Sequence, residues 1–179
     1  MLSPKILELL QNPELAALSQ TPALLSYSLY PPGLPLGSLV QIQGQGSTEA
    51  SLGLLREHPQ FKAAWLEERL SAYPPAFVQQ GVNLSCLLFV EGGARFAWAA
   101  AELLRSGVFK LLVVGSAFEA GENALNLRRL QLGARASGGL VLLTGGIQGP
   151  LWPLRLRLEC RREGEGLKLW QAEKKAAWG

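Results

Sequence analysis

The chain has 179 residues, 48% of them hydrophobic and 17% charged, with a formal net charge of +3 and a pI near 9.1. That much apolar material can bury a sizeable core in one domain, which excludes a mainly disordered chain. The longest apolar runs, such as "CLLFV" and "KLLVVGSAF", are bounded by Glu or Lys and fall well short of the roughly 20 residues a membrane helix needs, so no membrane span is expected.

The N-terminal stretch "SPKILELLQNPELAALSQ" has helical spacing: Ser3 suits the cap, Pro4 the first turn, and Ile6, Leu9 and Leu10 recur at three- and four-residue steps. Asn12 and Pro13 break it and begin a second short helix. Charges and prolines run throughout this stretch, unlike the uninterrupted apolar segment of a signal peptide, and a cytoplasmic location is expected. "TPALLSYSLYPPGLPLG", rich in Pro and Gly, predicts an extended connector. Residues 1–34 are therefore expected to form a helical arm and connector ahead of a core at 35–179.

From Ser38 the segments alternate: strand "SLVQIQG", a helix around 50–57, strand "KAAWLEE", helix "PPAFVQQG", strand "SCLLFVEG" and helix "ARFAWAAAELLRSG". Strand "KLLVVGS", helix "ENALNLRRLQLGARASG" and strand "GLVLLTG" continue the alternation. Near-continuous apolar strands separated by amphipathic helices indicate a mostly parallel sheet covered on both faces, with right-handed crossovers. The long fourth helix should bury Leu127, Leu130 and Ala134 and turn Arg128 and Arg135 elsewhere, with Gly138 at its end. The ending differs. "PLRLRLECRRE" alternates apolar and basic residues, "GEG" turns the chain and "LKLWQAE" returns, which predicts a β-hairpin with one wet face.

Chemistry-bearing residues are few. One histidine and two cysteines cannot build a zinc site of the usual kind. Cys86 and Cys160 lie in strand-like runs and are expected to be small buried hydrophobes. His58, before Pro59, is expected to be a solvated helix-end residue, and no Ser or Cys nucleophile has a placed base. Positive charge collects in the last quarter, at Arg155, Arg157, Arg161, Arg162, Lys168, Lys174 and Lys175, where a basic face could meet phosphates or an acidic protein.

The segment "LPLGSLVQIQGQGSTEAS" begins like a phosphate-binding signature. Gly44 and Ser51 have the separation of G-x-x-x-x-G-K-[ST], but Glu49 stands for the second glycine and Ala50 for the lysine. A carboxylate about 5 Å from one phosphate charge is repelled by about 3 kcal/mol at an effective dielectric of about 20. Nucleotide binding is therefore not expected, nor any cofactor or metal.

"LPLGSLVQIQG", then "KAAWLEERLSAYPPAFVQQGVNLSCLLFV", then "LLRSGVFKLLVVGSAF" resembles the ATPase core of the recombinase RecA over roughly residues 33 to 172. The resemblance implies an α/β fold with a mostly parallel central sheet flanked by helices. It also implies a water-activating carboxylate where this chain has Arg69, and a magnesium-binding aspartate where it has Gly115. With the lysine gone as well, the resemblance is to a pseudo-ATPase and not to an enzyme. Glu67 and Glu68 do not replace the lost carboxylates, because adjacent strand residues point to opposite faces. RecA-like recombinases grip DNA with two long loops, for which this chain offers only "SAFEAGENA" and "TGGIQGPLWP".

"VVGSAFEAGENALNLRRLQLGARASGGLVLLT" is similar to the ImuA proteins, damage-inducible accessories of mutagenic translesion synthesis in the same degenerate group as the division inhibitor SulA. That resemblance implies a docking role in the SOS response, with RecA, an ImuB-like inactive Y-family polymerase and an error-prone DnaE-type polymerase as partners. It makes Ile6, Leu9, Leu10, Arg128 and Arg129 the candidate docking residues. Weak, non-specific DNA contact through Arg155, Arg157, Arg161 and Arg162 is the accompanying expectation. The alternatives are a SulA-like protein that binds FtsZ, an ATPase in which Lys62 reaches in from elsewhere, and a DNA-binding module.

Overall fold

The structure, a computed structural model, describes residues 22–115, 123–145 and 153–172. The expected N-terminal helices with Ile6, Leu9 and Leu10, most of "SAFEAGENA" and "TGGIQGPLWP", and Lys174 and Lys175 lie outside the described residues.

"TPALLSYSLYPPGLPLG" is expected to be an extended connector, but the chain folds back on itself here. β1 (Leu24–Leu25) pairs antiparallel with β2 (Leu34–Pro35). The Pro31–Pro32–Gly33 turn permits this because Gly33 takes φ +81 and its N–H donates to Tyr30 O at 2.9 Å. Leu25, Tyr27 and Leu34 are buried in the main core, so this segment packs against its own chain.

The central sheet has seven strands: β3 (Ser38–Gly44), β4 (Ala63–Glu67), β5 (Leu87–Glu91), β6 (Leu111–Val114), β7 (Leu140–Thr144), β8 (Leu156–Glu163) and β9 (Gly166–Gln171). Their spatial order is β5-β4-β6-β7-β3-β8-β9, all parallel except β9, which returns antiparallel to β8. The expected mostly parallel α/β architecture and the C-terminal hairpin are both present.

Four helices connect these strands among the described residues: α1 (Ser47–Glu57), α2 (Pro74–Gln79), α3 (Phe96–Arg105) and α4 (Asn123–Ser137). Parallel strands need such crossovers, and the crossovers bury both sheet faces. On one face, Val40, Ile42, Trp65, Leu111, Val113 and Leu158 pack under α1, α2 and the β1–β2 segment. The other face, with Leu39, Ala64, Leu66, Val114, Val141 and Leu143, is covered by α3 and α4. In α4, Leu127, Leu130 and Ala134 are buried while Arg128, Arg129 and Arg135 are exposed, and Gly138 follows at φ +64. No helix among the described residues is long and apolar enough to cross a membrane.

Two local expectations fail. His58 is not solvated: it is 7% exposed, stacks on Phe61 and places Nε2 2.7 Å from Ser26 O, because the β1–β2 segment folds over the end of α1. Cys86 is only half-buried, since it ends a short 3-10 turn (Leu84–Cys86) ahead of β5 instead of lying within the strand. Cys160, by contrast, is buried.

Burial of Leu34 against the main core carries a measurable consequence. Leu34→Ala should lower unfolding stability by about 2–5 kcal/mol in a urea titration. A loss under about 0.5 kcal/mol would mean that the β1–β2 segment does not contribute to the core.

Candidate functional site

β3 ends at Gly44 with φ +98, and α1 begins at Ser47 behind Gly46 at φ +95. Only Gln45 and Gly46 therefore lie between Gly44 and the helix. A phosphate cradle needs a run of backbone N–H groups left open between its first glycine and its lysine. Here the helix already winds through that stretch, and the Ala50 N–H is spent on Gly46 O at 2.8 Å. Ser51 is fully buried and its hydroxyl donates to Ser47 O at 2.8 Å, so it is turned into the helix and not toward an ion. Ala50 is also fully buried, and its carbonyl accepts the Tyr27 hydroxyl at 2.5 Å. Burial foremost, and then the Glu57 charge, raise the pKa of that hydroxyl, which keeps it a donor.

The C-terminal hairpin closes the turn from the other side. A β-carbon at residue 44 would lie 2.3 Å from Cys160 O, and one at residue 46 would lie 2.6 Å from Leu167 Cδ2. Arg162 forms an ion pair with Glu49 across the same gap. Burial, and next the Glu49 charge, push the Cys160 thiol up, so it stays protonated and unreactive. The expected repulsion of phosphate by a bare Glu49 therefore needs correction. Arg162 compensates that carboxylate, and the turn is closed because its space is filled.

The carboxyl edge of the sheet also holds Gly115 and Arg69. Gly115 follows β6, its N–H donates to Leu66 O at 2.9 Å, and a β-carbon there would meet Glu67 Cγ at 2.7 Å. A side chain at 115 would have to displace Glu67. Glu67 is itself engaged: Oε1 accepts from Trp65 Nε1 at 2.9 Å, and Oε2 accepts from the Ser71 and Ala72 N–H groups at 2.5 and 3.1 Å and from the Ser71 hydroxyl at 3.1 Å. Burial works to raise its pKa, but these hydrogen bonds outweigh that and hold it below the ordinary 4.5. Glu67 thus anchors the loop after β4, while Glu68 and Arg69 are exposed beyond the strand. The sequence contains no aspartate. Among the described residues no three metal-binding side chains gather at one point.

Lys62 cannot stand in for the missing lysine. It precedes β4, where its carbonyl accepts from the Lys110 N–H. That is the opposite end of a five-residue strand, which is about 16 Å long. A cavity of about 170 Å³ beside α1 is lined by Glu49, Glu57 and Glu165, among others. It is smaller than the roughly 300 Å³ at which small-molecule sites begin.

The four candidate DNA-contacting arginines do not share a surface. Arg157 and Arg161 lie on the α4 side of β8, level with Gln41 and Lys168. Arg162 points to the α1 side, where it pairs with Glu49, and so lies on the face opposite Arg157 and Arg161. Arg155 is exposed at the foot of β8, where its N–H donates to Leu39 O. Leu167 over the glycine turn, and Lys168 and Trp170 beside Arg161, were not singled out from the sequence as site residues. Strand parity carries that signal, because successive residues alternate faces and Arg161 and Arg162 must separate. Compared with known proteins, the chain matches no family model and no curated protein.

Glu67's hydrogen bonds should make stability depend on pH. Its folded pKa is depressed, so its contribution is present above the unfolded value and is lost as pH falls through the folded one, below 4.5. The stability gap between wild type and Glu67→Gln in urea should be widest near neutral pH and close in acid. A gap that stays constant down to about pH 3 would contradict the assignment. Separately, Glu49→Gly with Ala50→Lys should not create ATP binding by titration calorimetry. It should lower thermal stability instead, since it places a lysine at a fully buried position and orphans Arg162. Micromolar binding by that double variant would show that the turn is open.

Proposed function

We propose that the protein is a non-catalytic, RecA-like accessory that acts by docking to other proteins in the DNA-damage response and mutagenic translesion synthesis. The observation that carries this reading is the filled glycine turn, with Cys160 and Leu167 against Gly44 and Gly46 and with Ser51 turned into its own helix. A strand–turn–helix unit that would hold triphosphate in an ATPase is here a packing element. The other two stations of the resemblance agree, because Gly115 offers no ligand and Arg69 no base.

The order of strands and helices supports the RecA comparison, since the three resembling segments supply β3, then β4 with β5, then β6, all strands of one parallel array. The helix that carries the ImuA-like sequence buries its apolar stripe and turns Arg128 and Arg129 outward. On this reading those arginines meet RecA, with an ImuB-like polymerase and a DnaE-type polymerase completing the assembly.

Two measurements test the proposal. Calorimetry with ATP and magnesium should give no binding in the micromolar range and no phosphate release. Immobilised wild-type protein should retain RecA, and Arg128→Glu with Arg129→Glu should release it. Turnover of ATP, or failure to retain RecA alongside inhibition of FtsZ polymerisation, would overturn the assignment, the latter in favour of the SulA branch.

A further inference from the structure

We propose that the α4-side face of the β8–β9 hairpin is a platform for single-stranded nucleic acid, with one unpaired base stacked on Trp170. This is independent of the docking role, since it uses neither α4 nor the N-terminal arm. The register puts Arg157, Glu159 and Arg161 of β8 on one face with Lys168 and Trp170 of β9. Trp170 lies opposite Glu159 and Lys168 opposite Arg161, so Trp170 has Lys168 two residues away on its own strand and Arg157 and Arg161 at its diagonals. Arg155 adds a further exposed cation at the foot of β8.

A large aromatic side chain 43% exposed near the end of a strand loses the burial that normally stabilises it. Flanked by Lys168, Arg157 and Arg161, with Glu159 directly opposite, it has the two components that non-specific single-strand sites combine: a basic track for the phosphates and a ring on which any base can stack. Glu159 accepts from the Gln43 amide, which draws its carboxylate toward β3 but leaves its charge, so the three cations outnumber it around the ring. Glu163 pairs with Lys168 at 2.7 Å. The Lys168 pair is exposed on both sides and is worth little in water, so a phosphate can replace its carboxylate. Arg161 has no ion pair among the described residues.

One side of the platform is anchored in the core. Fully buried Gln41 donates through Nε2 to Gly145 O at 2.8 Å and accepts from Arg157 Nε at 2.7 Å. This fixes the Arg157 guanidinium and limits the entropy lost when it meets an anion. The choice of single strands over duplex follows from Trp170, whose exposed ring can stack only on an unpaired base. An acidic peptide would satisfy the cations without using the ring.

The test is fluorescence anisotropy with labelled oligo-deoxythymidylate of about 15 nucleotides, at salt from about 50 to about 200 mM. Wild type should bind it more tightly than a duplex of equal length. Trp170→Ala should weaken binding by about 5- to 100-fold while Trp170→Phe retains most of it. Arg161→Ala should reduce the slope of log affinity against log salt by about 0.7. If Trp170→Ala does not fold, Trp170→Leu, which keeps apolar volume, replaces it and should weaken binding relative to Trp170→Phe. The proposal is overturned by no binding at the lowest salt or by equal affinity for duplex. It is equally overturned if Trp170→Ala or Trp170→Leu binds like wild type, or if poly-glutamate competes as well as the oligonucleotide and with the same dependence on Trp170.

Discussion

The close approach of Gly44 to the Cys160 carbonyl is the constraint on which the rest of the molecule depends. β8 pairs with β3 in parallel register as far as Gly44 opposite Cys160, and β3 then ends while β8 continues to Glu163. Those extra residues and the return along β9 overhang the first turn of α1. Leu167 consequently sits against Gly46 and Arg162 reaches Glu49. Glycine is required at 44 both by φ +98 and by the backbone oxygen where a β-carbon would stand. A glycine-rich turn is therefore explained by packing alone.

The same geometry changes the meaning of the helix N-terminus. Free N–H groups and the helix dipole favour an anion there, and a nucleotide-binding protein uses that preference for phosphate. Here the chain supplies its own carboxylate, Glu49 in the first turn of α1, and balances it with Arg162. The Tyr27 hydroxyl also donates to the Ala50 carbonyl. The helix is thus held by the N-terminal segment and by the C-terminal hairpin, which are distant in sequence.

Much of the architecture is legible in the chain because a parallel sheet covered on both faces imposes a simple pattern. "SLVQIQG", "KLLVVGS" and "GLVLLTG" are apolar almost throughout, and the helices between them carry a stripe such as Leu127, Leu130 and Ala134. What failed had a common cause: contacts made by segments far apart in sequence. His58 has the local signature of a frayed, solvated helix end, and only the β1–β2 segment lying over it buries the ring. Glu49 looks like an inverted charge until Arg162, 113 residues later, arrives beside it. Arg161 and Arg162 read together as one basic patch, although a strand must send neighbours to opposite faces. One joins Lys168 and the other meets α1.

The features of the carboxyl edge are coupled by packing. The hairpin fills the turn after β3, and Glu67 fills the space beside Gly115. Glu67 then collects hydrogen bonds from Trp65, Ser71 and Ala72 and sets the path of the loop that carries Arg69. An Asp or Glu at 115 would have to expel Glu67, and expelling it would undo that loop. Gly44, Gly115 and Glu67 are each tied to a neighbouring packing contact. The carboxyl edge is consequently held in its present form, because a side chain added at Gly44 or Gly115 must displace a neighbour that itself fixes another segment.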